Sequence, residues 1–250
     1  MNILLVNDDG FDSGYLRMLC RAAAARGHRV RVCAPALQQS AKGHSFTITE
    51  PVIAARKEME GAEEAWAISG TPVDCARVGI MELFREAELV ISGINYGPNA
   101  ACAVFPSGTV GAAREAAMHG KLAIALSADY DAPEETVKLV TGWAIALAES
   151  LPGKELPEKA LLNINIPAVP VTGLKSPVMC PQSNVIYNDA YVRETTPRGD
   201  LCFWLGHEVK DANPPEGTDT WYLQRGHITC TFIGMEPVDQ KKWQPLLSDI

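Results

Sequence analysis

The sequence predicts an α/β fold: a Rossmann-like, doubly wound, mostly parallel sheet with a C-terminal β-hairpin-rich appendage. Three observations carry that reading. The runs at 3–6 (ILLV) and 88–91 (ELVI) have the continuous apolar character of strands buried on both faces. Further β-prone and helix-periodic stretches alternate with them through the first two thirds of the chain, the rhythm of βα units. After Pro167 that rhythm gives way to prolines and short β-prone pieces. The expected division is a core over 1–167 and an appendage with returning C-terminal elements over 168–250.

The elements follow in order. Strand 3–6 leads to a helix over 13–26, in which Leu16, Leu19, Cys20 and Ala23 share one face. Gly27 ends it and 28–33 alternates as the next strand. Residues 34–43 read as a loop. Strands are expected at 46–55 and 64–68, joined by the charged turn 57–61. A helix then starts with Thr71 as N-cap, Pro72 in the first turn and Asp74 favouring the helix dipole. Strand 88–91 opens into a glycine- and asparagine-rich loop over 92–108. A helix over 110–119, with Thr109 as its N-cap, a strand over 122–126, a helix over 134–149 and a strand over 161–166 complete the core. Beyond it, β pieces are expected around Val178, 185–187, 191–193 and 202–205, a short helix at 218–225 and a last strand at 226–232.

Composition bounds the function. The 250 residues are enough for one large domain or a domain with an appendage, and 47% hydrophobic with 21% charged content fits an ordinary globule. A net charge of −8 offers no basic stripe to displace counterions from long nucleic acid, while leaving a single nucleotide open as ligand. The seven cysteines form no CxxC pair, so reduced thiols in a cytoplasmic protein are expected. Neither a signal peptide nor a membrane span is expected.

Chemistry concentrates after the strands. The first strand ends in Asn7-Asp8-Asp9-Gly10, and ligands of open α/β sheets bind beyond such carboxyl ends. Adjacent carboxylates call for a cation or a shared proton, and oxygen donors suit Mg²⁺ or Mn²⁺. Ser40, in the loop after the second strand, offers a hydroxyl to a metal or a phosphate. Asn95 offers a neutral amide oxygen, and Asn99 an amide donor for phosphate. Ser107, Gly108 and Thr109 enter a helix N-terminus, where unpaired N–H groups and positive potential favour anions. None of these is a Walker loop, a GxGxxG or a GxSxG motif. The five histidines lack metal-binding spacing, and His44, in the Ser40 loop, is the best of them as an outside candidate.

Taken together, Asn7-Asp8-Asp9-Gly10, Gln39-Ser40, Ser69-Gly70-Thr71-Pro72-Val73-Asp74-Cys75, the run 92–99 (SGINYGPN) and Ser107-Gly108-Thr109-Val110 resemble the SurE survival-protein family. Asn163-Ile164-Asn165-Ile166-Pro167 and Thr218-Asp219 extend the resemblance. It implies a metal-dependent phosphomonoesterase acting on nucleoside 5′- or 3′-monophosphates, with exopolyphosphatase activity in some members. It also implies a homodimer or homotetramer built partly by exchange of C-terminal elements. By the same resemblance, one divalent cation per subunit is held by Asp8, Asp9, Ser40 and Asn95, and the phosphate lies near Asn99, Ser107, Gly108 and Thr109. The sequence departs from the family at Ala41, Ala101, Ala103, Pro106 and Ala116. Alanine in place of a glycine at positive φ is expected to reshape a loop, with consequences for substrate range and turnover.

The expected chemistry is hydrolysis of a phosphate monoester, with Asp8 accepting a proton from the attacking water; Asp8 or Asp9 as nucleophile, through an aspartyl-phosphate, is the competing route. A non-enzymatic phospho-receiver is a poor match, because Ile68 and Leu126 are followed by Ser-Gly and Ser-Ala rather than by an acceptor Asp and a lysine. A catalytically weakened paralogue that binds a nucleotide or a partner protein remains the alternative.

Overall fold

The computed structural model describes residues 1–186, 190–206 and 213–235. At its centre is β1 (Asn2–Val6), whose side chains divide between two cores. Ile3 and Leu5 pack on one face of the sheet and Leu4 and Val6 on the other, which is why the run is apolar without alternation. The first face is covered by α1 (Gly14–Ala25) and α4 (Glu134–Glu149), the second by α2 (Pro72–Val78) and α3 (Gly108–Met118). Helix α1 buries Leu16, Leu19, Cys20 and Ala23, the stripe its 3.6-residue period dictates.

The remaining strands are β2 (Arg29–Pro35), β3 (Ala54–Lys57), β4 (Glu64–Ile68), β5 (Leu89–Tyr96), β6 (Leu122–Ala128), β7 (Leu161–Ile166), β8 (Lys175–Met179), β9 (Tyr191–Thr195), β10 (Leu201–Leu205) and β11 (His227–Ile233). Nine of them form one sheet in the order β3-β4-β2-β1-β5-β6-β7-β11-β8. The β4-β2-β1-β5-β6-β7 stretch is parallel throughout; β3 and β11 pair antiparallel with β4 and β7, and β8 runs parallel to β11. From β1 the chain winds outward through β2 in one direction and, starting again at β5, through β6 and β7 in the other. The gap between the ends of β1 and β5 is therefore the topological switch point, where such sheets bind ligands.

Four expectations are corrected. The strand expected at 46–55 shifts to β3 at Ala54–Lys57, because 46–53 find no ladder partner and Phe46, Ile48 and Ile53 stay exposed. The loop expected from 92 begins only after Tyr96: β5 continues through Ser92-Gly93-Ile94-Asn95-Tyr96 because β6 pairs with it, with an irregularity between Gly93 and Asn95. The N-cap of α3 is Ser107, whose Oγ accepts from Val110 N–H at 3.1 Å, not Thr109. Residues 185 and 186 are not strand; Tyr187, the rest of that piece, lies outside the described residues, as do His207 and the tail 236–250. The hairpin expected late in the chain is β9–β10, a separate two-stranded sheet, and α5 (Asp219–Leu223) is the short helix before β11.

Candidate active site at the β1–β5 switch point

Asp8 leaves the end of β1 and is 3% exposed. Its carboxylate lies against the N-terminus of α3: Thr109 Oγ1 donates to Oδ1 at 2.6 Å and Thr109 N–H to Oδ2 at 3.3 Å. The helix end expected to attract an anion thus already holds one, the Asp8 carboxylate. Gly108 permits this approach, since a Cβ there would stand 3.0 Å from Asp8 Cβ and 3.0 Å from Pro72 Cγ. Burial pushes the Asp8 carboxyl above its ordinary value, and the Thr109 hydroxyl pulls it partway back.

Asp9 turns the other way, toward β5, where its Oδ2 accepts from Tyr96 N–H at 3.1 Å. Burial, followed by the neighbouring Asp8 charge, pushes its carboxyl up to about 6. Asn95 completes the cluster. Its Nδ2 donates to Gly97 O at 2.7 Å, and its Oδ1 lies 3.4 Å from Thr109 Oγ1, which has only one proton and gives it to Asp8. Three oxygen-bearing side chains therefore converge from the ends of two neighbouring strands. The conformation that presents Asn95 depends on Gly93, at φ 143°, where any Cβ would fall on the Leu126 carbonyl.

Ser40 stands at the rim. It is exposed, and its Oγ accepts from Gln38 Nε2 at 3.1 Å. Its loop is nonetheless fixed beside the carboxylates, because Gln39 N–H donates to Asp8 O at 2.7 Å. Farther along, Gly43 N–H donates to Pro106 O at 2.8 Å. The buried Glu115 of α3 accepts from His44 Nε2 at 2.8 Å, Arg77 Nη1 at 2.7 Å and His119 Nε2 at 3.1 Å. His44 thus ties the Ser40 loop to α3 and does not face the carboxylates as a ligand. Asp74, which closes the capping box of α2 with Thr71, also accepts from Thr47 N–H at 2.9 Å and Oγ1 at 2.7 Å.

Asn99 is buried and engaged on several sides. Its Nδ2 donates to Ser127 Oγ at 2.9 Å and its N–H to Asn165 Oδ1 at 2.8 Å, while its carbonyl accepts from Asn163 Nδ2 at 2.8 Å and Asn165 Nδ2 at 3.2 Å. These bonds seat the loop after β5 on the ends of β6 and β7. One residue the motif reading left without a role is Asp219, fully buried: its Oδ2 accepts from Ala101 N–H at 3.0 Å and its Oδ1 from Ser183 N–H at 2.8 Å. In the sequence it is marked only by Thr218-Asp219 extending the resemblance, with nothing local to show that it clamps Ala101.

Comparison with known proteins places this arrangement. A family model described as survival protein SurE matches residues 3–189. The chain belongs to the SurE family. The 5′-nucleotidase SurE of Nitratidesulfovibrio vulgaris (strain DP4) is 38% identical over 249 residues, 99% of each chain. That of Desulfovibrio desulfuricans (strain ATCC 27774 / DSM 6949 / MB) is also 38% identical, over 246 residues, 96% of this chain and 95% of that one. The crystal structure of the SurE protein from Aquifex aeolicus superposes with a TM-score of 0.81 at 30% identity, covering 98% of both chains.

Two of the alanine departures from the SurE pattern stand at left-handed backbone positions. Ala41 and Ala101 adopt φ 58° and 50°, left-handed values that glycine reaches at lower cost. At Ala101 the strain is held by Asp219 on its N–H and by Gln182 Nε2 on its carbonyl at 2.7 Å. Ala116 packs fully buried inside α3.

Proposed function

We propose that this SurE-family chain is a metal-dependent phosphomonoesterase that hydrolyses nucleoside 5′-monophosphates, with 3′-monophosphates and short polyphosphates as further substrates of the same site. The observation that carries the reading is the convergence of Asp8, Asp9 and Asn95 at the switch point, beside the N-terminus of α3. The names of the relatives at 38% identity supply the substrate class.

The donor set fits one Mg²⁺ or Mn²⁺. It consists of oxygen atoms only, and it includes two carboxylates whose pKa values burial has raised, the condition a divalent cation relieves. Among the described residues no group of three His, Cys, Asp or Glu side chains is assembled to hold a metal, so amide and hydroxyl oxygens must share the task. Asp8, Asp9 and Asn95 would hold the ion, with Ser40 joining from the rim. The cation, when bound, contributes Lewis-acid polarisation of the phosphoryl group.

The protein's own part is positional and electrostatic. Asp8, held by the Thr109 hydroxyl and N–H, accepts the proton of the attacking water. Ser107, Gly108 and Thr109 bring the positive end of α3 toward the equatorial phosphoryl oxygens, where charge builds in the transition state; the hydroxyl proton for them comes from Ser107, since Thr109 gives its own to Asp8. Asn99 serves that site through the loop it anchors. The left-handed backbones at Ala41 and Ala101, conformations suited to the glycines of the family pattern, support a working enzyme over a weakened paralogue.

In this reading, residues 1–167 carry the site and 168–250 serve assembly into a dimer or tetramer. The β9–β10 hairpin supports this, because it exposes Tyr191, Phe203, Trp204 and Leu205 on a two-stranded sheet outside the core. Seven cysteines with no disulfide among the described residues support a reducing, cytoplasmic setting. No described helix is long and apolar enough to cross a membrane.

The test is phosphate release from a panel of nucleoside monophosphates with Mg²⁺, Mn²⁺ or chelator. Release that depends on the added metal is expected; no release under any of these conditions would remove the enzyme reading.

A further inference from the structure

The proposed site accounts for a phosphate and a cation but not for the rest of a nucleotide. Next to Asp9, on the side away from α3, lies a cleft of about 480 Å³ lined by Asp9, Ser13, Gly14, Tyr15, Gln38 and Tyr96. Tyr96 directly follows Asn95 and donates its backbone N–H to Asp9, yet the residue is 56% exposed. With Tyr15 and Tyr130 it forms a cluster of three aromatic rings beside the oxygen cluster. Tyr96 is also held in place. Its ring centroid is 6.4 Å from that of Tyr15 and 5.3 Å from that of Tyr130, the latter edge to face. Tyr130 is itself fixed against the chain, since a Cβ on Gly97 would run into its ring.

We propose that Tyr96, flanked by Tyr15 and supported by Tyr130, is the platform on which the nucleobase of the substrate stacks. This deepens the nucleotidase reading and rests on it. The occupant follows from continuity: Asp9 belongs both to the oxygen cluster and to the wall of the cleft, so a phosphate ester seated at Asp8 leads its nucleoside past Asp9 onto the tyrosines. Stacking on an aromatic face is tolerant of base identity, so the platform favours nucleotides as a class over phosphate esters without a base. Gln38 Oε1 and the Ser13 hydroxyl proton are left for a base edge or ribose hydroxyl, since Gln38 Nε2 donates to Ser40 and Ser13 Oγ accepts from Leu16 N–H.

The experiment compares adenosine 5′-monophosphate with ribose 5-phosphate, an ester that keeps the reacting phosphate and lacks the base. The proteins are wild type, Tyr96→Ala, Tyr96→Trp and Tyr15→Ala. Tyr96→Ala is expected to lower kcat/KM on the nucleotide about ten-fold more than on ribose 5-phosphate, mainly through KM. Tyr96→Trp is expected to restore the preference, and adenosine as a competitor to bind correspondingly more weakly to Tyr96→Ala. Equal losses on both substrates would mean that Tyr96 only shapes the oxygen cluster, and would overturn the proposal while leaving the phosphatase intact. A wild type that prefers neither substrate would overturn it as well. A wild type that releases phosphate from neither would overturn both readings together.

Discussion

Replacing Thr109 by valine keeps the shape of the side chain and deletes one hydroxyl. That hydroxyl donates at 2.6 Å to a carboxylate that is 3% exposed, and the only other Thr109 donor to it is the backbone N–H at 3.3 Å. A hydrogen bond to a charged group is worth about 1.5–3 kcal/mol, and the buried Asp8 has no water to replace the loss. At about 1.4 kcal/mol per factor of ten, the change is about ten- to hundred-fold in any property that needs Asp8 ionised and correctly aimed. Two assays read it. In chelator, urea unfolding of Thr109→Val should show a loss of about 1.5 kcal/mol or more. With substrate, the metal concentration giving half-maximal phosphate release should rise, or kcat should fall, within that range. Thr109→Ser, which keeps the donor, should restore most of both. A valine variant within about two-fold in activity and about 0.5 kcal/mol in stability would refute the claim that this hydroxyl organises Asp8.

Other consequences follow from the same geometry. Glu115→Gln removes the charge that gathers His44, Arg77 and His119, and should cost about 1.5–3 kcal/mol by urea unfolding while loosening the Ser40 loop enough to raise the metal requirement. Glu149 is held near pKa about 2 against an ordinary 4.5, first by its hydrogen bond to Arg26 and also by His28. Because the folded value is the lower one, its stabilisation is present above about 4.5 and lost as the pH falls toward about 2; Glu149→Gln should flatten acid unfolding across that window. Ala41→Gly relieves an exposed left-handed residue at φ 58°. Set against the greater freedom of glycine in the unfolded chain, it should raise the melting temperature by about 2 °C.

What the sequence revealed, and what it concealed, follows from how local each signal is. The buried stripe of α1 and the capping of α2 are properties of a dozen residues or fewer, and both are readable from spacing and cap chemistry alone. The segment 92–96 misleads because Gly and Asn favour turns, whereas pairing with β6, contributed from about thirty residues away, keeps it extended. Ser107 and Thr109 are both competent caps two positions apart; the choice is decided by Asp8, which claims the Thr109 hydroxyl from a different strand. The run 46–55 reads as a strand, but pairing with β4 starts only at Ala54 and continues to Lys57. The insertion of β11 between β7 and β8, and the clamp of Asp219 on Ala101 across 118 positions, have no local signature at all. The oxygen cluster was legible because each of its members stands at the end of an apolar strand or just past it, and strand ends at a switch point meet.

The central claim is that Asp8 works as a chemical group and not merely as a buried helix partner. Phosphate release by Asp8→Asn, measured with saturating Mn²⁺ or Mg²⁺ on a preparation whose circular dichroism matches wild type, tests it most directly. The account predicts that turnover of nucleoside 5′-monophosphates is abolished while the fold persists; turnover equal to wild type would contradict it.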